Sequence, residues 1–126
     1  MKREVINSVK APDAIGPYSH CNKVGNFIFT SGQLPLDKET KELKTDIKEA
    51  TRQSLENVKS ILEEAGSSIK NVVKATVFVK DLAQFAELNE VYNEYFGENP
   101  PARSCVQVAK LPMDAVVEIE VIAIAE

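Results

Sequence analysis

The chain has 126 residues, 44% hydrophobic and 27% charged, ordinary globular usage that supports one core and leaves no room for a separate cofactor domain. Its formal net charge of −4 offers no general attraction to phosphate backbones, so nucleic acid is an unfavoured partner. No apolar run approaches the roughly 18 residues of a membrane span, Met1 to Val9 does not read as a signal peptide, and Cys21 and Cys105 lack the spacing of a zinc site or disulfide framework. A single cytoplasmic domain over residues 1–126 with reduced thiols, and no membrane partner, is expected.

Residues 1–8 and 19–31 alternate as β-strands do, with Phe27, Phe29 and Ser31 on one side and Ile28 and Thr30 on the other. The Pro- and Gly-rich stretch from Ala11 to Tyr18 separates them, and two or three antiparallel strands are predicted. Leu34 to Lys44 is polar and holds Pro35, Asp37 and Thr40, which suits a connecting loop or short hairpin.

At Asp46 the period changes. Ile47, Ala50, Leu55, Val58, Ile61, Leu62 and Ala65 form one apolar stripe, Asp46 and Glu49 are placed like a capping box, and Gly66 supplies a stop. Val73, Ala75, Val77 and Val79 alternate with polar or aromatic neighbours as a strand, after which Asp81 and Gln84 open a second helix running to about Phe96. Past Pro100 and Pro101, Ala102 to Val108 and Val116 to Ala125 form two more strands around a Lys-Leu-Pro-Met-Asp turn. The order predicts an α+β layer, a mixed sheet with both helices on one face.

The last strand departs from simple alternation. Val117, Ile119, Val121, Ala123 and Ala125 make one apolar face, while Val116, Ile122 and Ile124 make the other largely apolar too. One face can take the helices, but the chain has no element left for the second, so an oligomer is expected to cover it. Glu118 and Glu120 fall on that second face, where a carboxylate needs a partner or a task. Salt bridges at an oligomer surface would satisfy either of them, Glu120 more readily than Glu118.

Arg103 opens a strand in which Ala102, Ser104, Val106 and Val108 share the face opposite Arg103, Cys105 and Gln107. A lone arginine is most often a solvated charge or an ion pair. Its rigid fork of donors, charged at every relevant pH, also suits two parallel hydrogen bonds to a small carboxylate. Cys105 as nucleophile and His20 as base are both disfavoured, because no Cys-His signature, Gly-x-Ser-x-Gly elbow or metal spacing accompanies them; His20 reads as structural.

Six strings occur in order along nearly the whole chain: Ala14 to Ser19, Thr30 to Gln33, Asn57 to Lys59, Lys74 to Asp81, Pro101 to Val106 and Glu118 to Glu120. Together they resemble the RidA (YjgF) family. The resemblance implies a chorismate-mutase-like fold assembled as a homotrimeric barrel with clefts between adjacent subunits. It also implies hydrolytic deamination of reactive 2-imino or enamino acids, 2-iminobutanoate and 2-iminopropanoate, to 2-oxo acids and ammonia, without cofactor or metal. Carried onto this sequence, the carboxylate-binding arginine falls on Arg103, the water-activating glutamate on Glu118, and the cleft-lining residues on Tyr18, Ser31, Gly32 and Cys105, with Tyr18 able to close or polarise the cleft. Two other functions stand beside it: an endoribonuclease or translation inhibitor, and a non-catalytic module that binds a small acid.

Overall fold

In the computed structural model, which describes residues 1–126, six strands and two helices follow the chain as β1 (Arg3–Ile6), β2 (Cys21–Val24), β3 (Phe27–Thr30), α1 (Ile47–Glu64), β4 (Val72–Val79), α2 (Phe85–Phe96), β5 (Ala102–Gln107) and β6 (Val117–Ile124). The strands form one sheet in the order β1-β2-β3-β6-β4-β5. Every pairing is antiparallel except β4 with β5, as expected of two strands joined by a helical crossover. The α+β class and the mixed sheet with two helices are those expected from the sequence.

The first helix forms where capping, periodicity and stop agree. Asp46 accepts a hydrogen bond from the Glu49 N–H at 3.1 Å, satisfying one of the donors that a helix start leaves free. The apolar stripe from Ile47 to Ala65 is buried against the sheet. At the far end Gly66 adopts φ 82°, which lets the Ser67 N–H reach the Leu62 carbonyl at 2.8 Å and close the last turn.

Two local expectations need correction. Val73 does not share the buried face of Ala75, Val77 and Val79: the pairing of β4 with β6 shifts between Val72 and Lys74, so Val72 is buried and Val73 exposed. A bulge inserts one residue and reverses the alternation beyond it, which a count of every second residue misses. The second helix starts later than Asp81. Asp81 accepts from the Ala83 N–H at 2.9 Å and caps a 3₁₀ turn over Leu82–Gln84, and the α-helix follows from Phe85.

On β6, Val117, Ile119, Val121 and Ala123 are buried under the helices. The opposite face of the sheet has no cover. Phe27 and Phe29 on β3 are 51% and 44% exposed, beside Ile124 on β6 at 38%, with Val106 on β5 also open. Glu118 and Glu120 lie on this bare face, opposite Phe78 and Thr76 of β4. No helix is long and apolar enough to cross a membrane.

Candidate functional site

The predicted site residues fall into two clusters on opposite faces of the sheet. The first is built by the loop before β2 and the segment after β3. His20 is buried and braces that loop: its Nδ1 accepts from the Ser8 N–H at 2.9 Å, and its Nε2 donates to the Pro12 carbonyl at 2.7 Å. This pattern assigns a neutral ring with both nitrogens engaged, the structural role expected of it. The Ser31 N–H binds the His20 carbonyl at 2.9 Å, and the Ser31 hydroxyl donates to the Ser19 carbonyl at 2.6 Å. The braced loop thus fixes the chain that leads into Gly32.

Beyond Gly32, Gln33 exchanges two backbone hydrogen bonds with Ile119, at 2.8 and 3.2 Å. That bridge sets residues 31–33 beside Glu118. Asn57, buried on α1, donates its side-chain amide to the Leu34 and Leu36 carbonyls at 3.1 and 2.9 Å, so the next stretch of loop is fixed as well. The result is a cleft of about 590 Å³ whose polar lining includes Tyr18, Ser31, Gly32, Glu118 and Glu120, with Ile15, Leu36 and Met113 among its apolar walls. Tyr18 is half-exposed, and its hydroxyl accepts from the Ile15 N–H at 3.3 Å. Glu118 is partly buried, and its carboxylate takes part in no hydrogen bond or ion pair within the chain. Burial, and secondarily the Glu120 carboxylate on the same face, pushes its carboxyl above the ordinary range.

The second cluster surrounds Arg103. On β5 this residue pairs with buried Ala75 of β4, so its side chain is on the helix face, at the sheet edge where α2 packs. The guanidinium lies over two aromatic rings, 4.6 Å from the Tyr92 centroid and 5.3 Å from that of Phe85, and one nitrogen donates to Asn89 Oδ1 at 2.8 Å. Cation–π contacts hold it without using its remaining donors. No carboxylate of the chain pairs with it. Arg103 lines a smaller cleft of about 330 Å³ with Asn89, Asn93 and Pro101. Cys105 follows on the same face; burial pushes its thiol up, partly offset by Arg103, which lowers its value as a nucleophile at neutral pH. Cys21 is buried and pushed up to about 11 by burial and then by Glu4.

Phe85, Asn89 and Tyr92 are the neighbours of Arg103 that the sequence did not single out. Their signal was present: at i, i+4 and i+7 they share one stripe of α2, and an asparagine interrupting an apolar stripe needs a hydrogen-bonding reason.

The structure does not bring Arg103 and Cys105 together with Tyr18, Ser31, Gly32 and Glu118 within one chain. Arg103 aligns through Ala75 with Val121 of β6, whereas Glu118 aligns with Phe78. The two are separated by two strand spacings, roughly 10 Å, by a similar distance along the strand, and by the sheet itself.

The chain matches the family described as Endoribonuclease L-PSP over residues 8–125. It belongs to the YjgF/RidA family. A RutC family protein of Pyrococcus abyssi is 58% identical, with 100% of each chain covered. The Escherichia coli K12 protein TdcF, named as a candidate reactive intermediate deaminase, is 47% identical over 97% of each. Among solved structures, a Thermotoga maritima protein described as a candidate endoribonuclease superposes with a TM-score of 0.95 at 52% identity, covering 100% of this chain and 99% of that one. Escherichia coli TdcF with bound serine superposes with a TM-score of 0.93 at 46% identity over 98% and 99%. The fold described above is the RidA fold, and the family includes proteins named as reactive intermediate deaminases.

Proposed function

We propose that the protein hydrolyses small 2-imino acids, 2-iminobutanoate and 2-iminopropanoate, to 2-oxo acids and ammonia, at sites shared between protomers of a homotrimer. The observation that carries this reading is the pairing of two unspent charges. Arg103 is held in one pose with most of its donors free, and Glu118 is partly buried with no partner. They lie on opposite faces of one chain, so they can serve one substrate only across an interface. The bare apolar face supplies that interface, since burying Phe27, Phe29 and Ile124 against copies of the chain removes them from water. The serine bound to the related TdcF supports a small amino-acid-like ligand.

In this reading Arg103, with backbone N–H groups near Cys105 and Gly32, holds the substrate carboxylate and fixes the imine carbon. β5 is an edge strand with one side unpaired, and the Gly32 N–H has no partner in the chain; both leave backbone groups free for such contacts. Glu118 takes a proton from water as its oxygen adds to the carbon of the protonated imine, giving a neutral carbinolamine. It then returns that proton to the nitrogen; as the C–N bond breaks and ammonia leaves, the hydroxyl gives its proton back to Glu118, which passes it on to the ammonia or to solvent and is left ionised beside the 2-oxo acid. A carboxyl with a raised proton affinity is better matched to both transfers than an ordinary one. Tyr18 and Ser31 line the approach, and orientation supplies much of the rate. The nuclease reading finds less support, because within the chain the Glu118 cleft contains no lysine or arginine, so a phosphate there would meet only the single Arg103 of a neighbouring copy.

Arg103→Ala is expected to lower kcat/KM by about two to three orders of magnitude while leaving the fold intact, measured by semicarbazide trapping of imine from a coupled threonine dehydratase. Chains carrying Arg103→Ala and chains carrying Glu118→Gln, unfolded and refolded together, should regain activity at about one site in four by random mixing. A mixture as inactive as its parents would overturn the shared site.

A further inference from the structure

We infer that Gly32 is the seat of the Glu118 carboxyl: its missing side chain leaves the space in which that group rests, and this packing, rather than a hydrogen bond, positions it. This rests on the reading of Glu118 as the proton carrier and concerns how that residue is held.

A Cβ added at Gly32 would lie 2.7 Å from Glu118 Oε2, 2.8 Å from its Cδ and 2.9 Å from its Cγ, all well inside van der Waals contact. The contact runs along the outer half of a flexible side chain, so an added Cβ is relieved when the glutamate turns about its own bonds, which moves its carboxyl off the seat. The backbone cannot retreat. On one side Ser31 is tied to His20 and Ser19, and on the other Gln33 is tied to Ile119 by two hydrogen bonds. Ile119 is the residue after Glu118, so the segment offering the seat is bonded to the strand that carries the group seated. The glycine is not required by its own backbone, because Gly32 is absent from the positive-φ positions, which are Gly16, Gly25 and Gly66 among the glycines. Alanine would fit the main chain, and what it meets is Glu118.

Glu118 has no hydrogen bond or ion pair to fix it, so steric seating is the contact left to set where its oxygens lie. The function of Gly32 is then distinct from offering an N–H to substrate, which an alanine would preserve. Gly32 is a positioning residue.

The test is a double-variant cycle on the full-length protein, comparing wild type, Gly32→Ala, Glu118→Ala and the pair. Gly32→Ala is expected to lower Tm only slightly in the wild-type background, because the glutamate yields, and to leave it unchanged in the Glu118→Ala background, where the opposing atoms are gone. Carbon-detected NMR titration of the Glu118 carboxyl should show its pKa falling in Gly32→Ala, as the displaced group turns toward water. Equal Tm losses in both backgrounds, or an unmoved Glu118 titration, would overturn the seat. Neither readout depends on turnover. Full imine hydrolysis by Glu118→Ala would instead remove the proton-carrier reading while the cycle still decided the packing.

Discussion

Arg103 and Glu118 are held by opposite means. Arg103 is gripped by side chains of one helix, with two rings under its guanidinium and an amide on its edge. Glu118 projects from the start of β6 into a cleft, its carboxyl without a bonding partner. Binding a fixed charge calls for a rigid, permanently ionised group, and cation–π and amide contacts supply that rigidity while leaving donors for a ligand. A group that must take up and release a proton cannot be committed to a strong ion pair without losing its range. The difference therefore follows the division of labour proposed for the two residues.

Substitutions can break or sharpen that contrast. Beside Arg103→Ala, the largest effect is expected from removing the proposed proton carrier: Glu118→Gln keeps the shape of the side chain and should lower kcat by roughly 10²-fold or more with KM little changed, in the same imine-trapping assay. A rise in KM with kcat unchanged would place Glu118 in binding instead. A smaller effect is expected on the other side. Asn89→Ala removes the amide that orients Arg103 but leaves both rings, so KM should rise about tenfold, the worth of one hydrogen bond to a charged group, with kcat nearly constant. If Asn89→Ala lowered kcat alone, Arg103 would not be a simple anchor.

The smallest effect is on stability. Glu118 has its proton affinity raised in the folded protein above the ordinary 4.5, so the folded state binds that proton more tightly than the unfolded state does. Stability from this group is present below pH 4.5 and is lost as pH rises through the folded value. Glu118→Gln, which cannot ionise, is therefore expected to melt slightly higher than wild type at neutral pH and no higher in acid. Melting curves across that pH range check this, and a variant less stable than wild type at pH 7 would contradict it.

Much of the architecture was legible because local signals agreed. The capped, striped helix over Ile47–Glu64 and the doubly apolar β6 are patterns of period 3.6 and 2 that burial enforces wherever the chain meets water on one side. The bare sheet face was legible for the same reason: Ile122 and Ile124 alternate with Val121 and Ala123, leaving no polar side to that part of the strand. Val73 was misplaced because a bulge is a property of the pairing between two strands, and one strand's sequence does not contain it. The late start of α2 reflects a capping aspartate that serves a 3₁₀ turn as readily as an α-helix.

By itself, the sequence determined which chemistry is on offer: an arginine opening a strand, a glutamate on an apolar face, and a glycine between Ser31 and Gln33. Only the tertiary structure decided how they are deployed. Strand order and register put Arg103 and Glu118 on opposite faces of one sheet, because alternation along a strand fixes relative sides but not which side the helices will cover. The same register set Gly32 against Glu118, 86 positions away in sequence, a contact made by distant backbone pairing that no local pattern encodes.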